Sequence, residues 1–196
     1  YGRTYLFCAE MVLIYSHIGS ARFQYICAFI FKELLGVDYE LTIDSDAFKN
    51  YTGVKINYSD TKIAADEFYI RNHTLLFDHE IQNQLIDCFT FDNNKAFFKA
   101  QNCDFPFDIL AASFYLISRY EEYLPHEKDM YGRYAHENSL AYREDFLNLP
   151  LVNIWVGNLA EKLKEKYPTL PTGRQVFNTQ FSNFNFEPTY DVDMAY

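Results

Sequence analysis

Apolar positions along the first 58 residues recur with two periods. Val12-Leu13-Ile14-Tyr15 is a continuous apolar run and fits a buried strand. After the loop His17-Ile18-Gly19-Ser20, the residues Phe23, Ile26, Cys27, Ile30, Phe31 and Leu34 mark one helical face. Ser20 is the candidate N-cap, and Gly36 stops the helix. Tyr39 to Ile43 and Val54 to Tyr58 alternate as strands, and Ser45 to Tyr51 between them fits a short helix. Strand, helix, strand, short helix, strand predicts an α/β domain with a parallel or mixed sheet and covering helices.

The middle of the chain is less periodic. Phe68-Tyr69-Ile70, Thr74–Phe77 and Cys88–Phe91 read as short strands, and Asp92-Asn93-Asn94-Lys95 reads as a turn before Ala96-Phe97-Phe98. Antiparallel pairing is expected here. Farther on, Asp104 or Asp108 can cap a helix running to about Tyr123, with Ile109, Ala112, Ser113, Leu116, Ile117 and Tyr120 on one face. Residues 126–149 read as a long loop, of the kind that is functional or packed by its own side chains. Val152, Trp155, Val156, Leu159 and Leu163 form the stripe of a last helix, ended by Pro168. The expected layout is an extension over 1–10 with Met11 as the start, one domain over 11–170, a linker over 171–187, and a new element from 188.

Charge and composition narrow the function. A net charge of −10 weighs against nucleic acid and against an anionic membrane surface as partners. No window is apolar for long enough to cross a membrane as a helix. Tyr5–Ala9 is too short for a secretory h-region. Cys8, Cys27, Cys88 and Cys103 form no CxxC pair and read as free thiols, so the expected compartment is reducing and cytoplasmic. Aromatic residues make up 19% of the chain, which serves either a dense core or a sugar-stacking surface.

Three groups of residues bear on chemistry, the second of them the loop histidines. Arg119, Glu121 and Glu122 lie at a helix end beside Tyr120 and Tyr123, where they would bind a polar ligand or pair with one another. His126, His136 and Glu137 sit in the long loop, with spacing too unspecific to indicate a metal. The third group is Thr189-Tyr190-Asp191-Val192-Asp193, in which two carboxylates close a strand-like run.

This five-residue motif resembles the first motif of polysaccharide-deacetylase (NodB-homology) domains. The resemblance implies Asp191 as general base. It implies Asp193 as ligand of a divalent, zinc-like metal, although the family's usual second acid position is here Val192. The family's histidine ligands lie in a later motif that does not occur before Tyr196. Phe107–His126, Asp129–Tyr134 and Val152–Trp155 are similar to segments of an uncharacterised N-terminal domain that precedes such deacetylases. What this implies is an accessory domain without cofactor or activity of its own, placed before a deacetylase-like domain as its partner. Such a domain would position carbohydrate or mediate domain or subunit contacts. The alternative is a small enzyme or ligand-binding domain using the Arg119/Glu121 region.

Overall fold

A computed structural model describes residues 11–170. Four strands form one parallel sheet: β1 (Val12–Tyr15), β2 (Tyr39–Thr42), β3 (Lys55–Ser59) and β4 (Phe68–Arg71), in the order β2-β1-β3-β4. Helix α1 (Ala21–Cys27) connects β1 to β2, and α2 (Ser45–Asn50) connects β2 to β3. The chain reverses direction between these crossovers, so the two helices lie on opposite faces of the sheet. Val12, Ile14, Ile56, Tyr58, Phe68 and Ile70 face the main core with α1. On the other face, the Tyr15 ring lies 5.4 Å from the Phe48 ring of α2.

The antiparallel expectation holds only outside this sheet. A separate hairpin pairs β5 (Phe89–Phe91) with β6 (Asn94–Ala96). Asp92 and Asn93 at its tip both have positive φ, 47° and 60°, as a two-residue primed turn requires. Thr74–Leu76 is a 3-10 turn, not a strand.

Two helices depart from the simple period. After Cys27 the first helix continues as a π-helix over Ala28–Leu34, and the amide of Leu35 donates to the Ile30 carbonyl at 2.9 Å. The wider turn carries the buried stripe from Ile30 to Leu35, leaving Leu34 partly exposed. Helix α3 (Ile109–Ile117) is capped by Asp108 and does not reach Tyr123. Arg119 adopts a left-handed conformation, φ 51°, which breaks it ahead of the 3-10 turn Tyr120–Tyr123. A short helix α4 (Leu140–Arg143) and the long α5 (Leu151–Lys166) follow. Helices α3 and α5 join α1 on the main core face.

Trp155 of α5 is the hub of the aromatic core. Its ring meets Phe97 and Phe107 edge-on at 5.7 and 5.2 Å, and its Nε1–H donates to the Lys95 carbonyl at 3.0 Å. Much of the aromatic content is therefore core. The opposite sheet face buries polar groups, each with partners. The Lys55 ammonium donates to the Lys49 and Tyr51 carbonyls and pairs with Asp66 at 2.9 Å. Glu67 accepts from Asn57 and from the amides of Ile63 and Ala64.

Among the described residues, no helix is long and apolar enough to cross a membrane. Cys27, Cys88 and Cys103 are unpaired, and burial pushes each thiol pKa up, which disfavours thiolate chemistry. Cys8 and the proposed extension over 1–10 lie outside the described residues.

Candidate functional site

Open parallel sheets bind ligands outside the carboxyl ends of their strands, where the chain reverses direction. Here that place lies between β1 and β3, and the chain's own turn fills it. The Ser20 hydroxyl caps α1 by accepting from the Phe23 amide and donates to the Leu76 carbonyl. Leu75 and Leu76 are fully buried. The Phe77 ring packs against Phe23 and Tyr58 and lies 5.2 Å from His17. Among the described residues, the turn over residues 75–77 therefore occupies this place.

A pocket of about 520 Å³ opens instead where α3 ends. Its floor carries Tyr115 from α3 and Glu121 from the 3-10 turn beyond it; its walls carry His126, Tyr134 and Arg143. Several separate segments thus converge. The break at Arg119 makes this possible. An uninterrupted helix would run past the pocket, whereas the left-handed residue lets the chain turn and places Glu121 inward.

Glu121 is held from both sides. Its Oε1 accepts from the Leu140 amide at 2.8 Å, at the start of α4, and lies 3.8 Å from an Arg143 guanidinium nitrogen. The Tyr115 side chain lines the pocket beside the same carboxyl, and its hydroxyl favours the charged form. Burial nevertheless raises the Glu121 pKa, and burial raises that of Tyr115 more strongly. His126 places its Nδ1 2.8 Å from the Leu124 carbonyl, and its ring rests 5.0 Å from Tyr134. A neutral imidazole in that geometry donates from Nδ1 and leaves Nε2 as acceptor. The Tyr134 hydroxyl is buried and has no hydrogen-bond partner among the described residues.

The long loop is locked at its neck. Asn138 Oδ1 accepts from the Glu127 amide at 3.1 Å, and its Nδ2 donates to the Glu127 and Ala135 carbonyls at 2.9 and 2.7 Å. Within the loop Asp129 accepts from the Tyr131 and Arg133 amides and pairs with the Arg133 side chain at 2.9 Å. The segment is a self-packed Ω-loop that carries His126 and Tyr134 on a fixed frame.

Of the residues singled out in the sequence, Glu121, His126 and Glu137 line this pocket. Arg119 is mostly exposed and pairs with Glu122, and neither side chain lines the pocket. His136 pairs with Glu137 at 3.3 Å and packs edge-on against Tyr142. Among the described residues, no three His, Cys, Asp or Glu side chains are grouped to hold a metal. Asp191 and Asp193 lie outside the described residues. Sequence reading passed over Tyr115, Tyr134 and Arg143. Tyr115 hid within a helix that reads as core, and the others depend on how the loop folds back.

The fold and the pocket define a small α/β domain with a ligand-sized pocket at its helical edge. The chain belongs to a family of unknown function, DUF7033, whose model matches residues 12–168. No curated protein and no solved structure matches the chain.

Proposed function

We propose that this domain is a non-catalytic accessory module that binds a polyhydroxylated ligand, such as a carbohydrate, in the Glu121 pocket and positions it for a neighbouring domain. The observation that carries this reading is the buried, unpartnered Tyr134 hydroxyl beside a carboxylate, an imidazole and a guanidinium. A buried hydroxyl without a partner costs on the order of 1–3 kcal/mol, and a ligand hydroxyl would remove that cost. Glu121 and His126 Nε2 add acceptors, Arg143 adds donors, and the Tyr and His rings offer flat faces for sugar C–H groups. The neighbouring domain is read from the resemblance of Thr189–Asp193 to a deacetylase motif, with Asp191 as base and Asp193 as metal ligand of that domain.

A second reading, an enzyme in its own right, is favoured by the raised Glu121 pKa beside an imidazole with a free Nε2, a pairing suited to proton transfer. Titration of the 15N-labelled chain with chitotriose, followed by an assay of the same sample for acetate and for shortened sugars, separates the two. The accessory reading expects saturable shifts at residues 115, 121, 134 and 143 without product. Product that disappears in Glu121→Gln establishes the enzyme. Absence of saturable shifts contradicts the proposal of a sugar site.

A further inference from the structure

A second cavity, of about 370 Å³, opens where β4 ends, beside the filled crevice of the sheet. Arg71, Asn72 and His73 form one wall; Phe98 and Lys99 form the other, with Asp108 at the base. Three features set it apart. Arg71 and Lys99 carry no ion pair among the described residues, in a chain whose net charge is −10. Asn72 Oδ1 is buried and has no partner among the described residues. The His73 ring stacks on Phe98 at 4.0 Å and 19°, which makes a flat, uncharged wall. Burial lowers the His73 pKa, which favours the neutral ring.

The acid at the base does not compete for the cations. Asp108 Oδ2 accepts from the Tyr58 hydroxyl and the His73 amide, and Oδ1 accepts from the Ala111 amide. Its lone pairs are committed to the fold. The cavity therefore presents Arg71 without an ion pair, Lys99 whose ammonium rests 5.3 Å over the Phe89 ring and pairs with no acid, and an acceptor inside that lacks a donor among the described residues.

We propose that this cavity binds a small organic oxyanion that also carries a hydroxyl or amine. Arg71 and Lys99 take the anionic oxygens, and Asn72 Oδ1 accepts from the neighbouring donor. The arrangement suits a hydroxylated carboxylate and a phosphate ester alike, because guanidinium recognises both by paired N–H groups. The site is separate from the Glu121 pocket and does not depend on what that pocket binds.

The test is titration of the 15N-labelled chain with malate, with glycerol 3-phosphate, and with sodium chloride at matched ionic strength. Saturable shifts centred on residues 71–73 and 98–100 are expected with at least one of the two anions, and the better one identifies the headgroup. Arg71→Gln should weaken that binding about tenfold. Asn72→Asp should weaken it too, by placing a carboxylate against the anion. Arg71 is exposed, so an unchanged Tm for Arg71→Gln confirms that the fold is intact. Shifts that never saturate, shifts reproduced by sodium chloride, or equal affinity in Arg71→Gln overturn the proposal.

Discussion

The Tyr58 hydroxyl donates to Asp108 Oδ2 at 2.7 Å, which ties the centre of the sheet to the first turn of α3. Both residues are fully buried, and Asp108 also caps α3 through the Ala111 amide. Burial pushes the Asp108 carboxyl up to about 6 despite these bonds. A raised folded-state pKa means the native chain holds a proton that the unfolded chain has released between about pH 4 and 6. Stability from this group is therefore present below about pH 4 and lost as pH rises toward 6.

Asp108→Asn keeps an N-cap and removes this titration. Urea unfolding of both proteins at pH 4, 5, 6 and 7 should show wild type losing on the order of 2 kcal/mol relative to the variant between pH 4 and 6. A difference that stays constant across the range would show that Asp108 titrates normally.

Trp155 holds the hairpin, the Phe97–Phe107 segment and α5 together. Trp155→Ala should cost about 3–5 kcal/mol in denaturant unfolding, and Trp155→Phe less, since the Lys95 carbonyl then loses a donor but most of the volume stays filled. Equal losses for the two variants would mean that the indole N–H, and not the packing, dominates.

Asn138 closes the Ω-loop by bonding both backbone groups of Glu127. Asn138→Ala should speed amide hydrogen exchange across residues 127–138, and cost only about 1–2 kcal/mol globally because the core is untouched. Ligand affinity of the pocket should fall with it. Unaltered exchange in the loop would mean that Asp129 and its partners suffice to hold it.

The sheet and its helices were legible because burial there obeys simple periods: the run Val12-Leu13-Ile14, the stripe from Phe23 to Phe31, and the stripe from Trp155 to Leu163 are all buried. The reading failed where hydrogen-bond geometry overrides period. Nothing in composition announces the π-turns that bury Leu35 in place of Leu34, or the left-handed Arg119 that ends α3 early. Thr74–Leu76 has strand-like composition, but the Ser20 hydroxyl and the core draw it into a plug over the sheet. Glu121 was found from the sequence because acids beside aromatics at a helix end are visible locally. Its companions Tyr134 and Arg143 are assembled by a loop whose path is fixed by Asn138, a long-range bond that no local pattern encodes.

The most direct test of the pocket is Tyr134→Phe, measured for both stability and chitotriose binding. The hydroxyl has no partner among the described residues, so its removal should leave Tm unchanged or raise it, while chitotriose affinity by calorimetry falls about tenfold. A variant that binds chitotriose as well as wild type, or one that is destabilised by loss of the hydroxyl, would contradict the assignment of Tyr134 as a group waiting for a ligand.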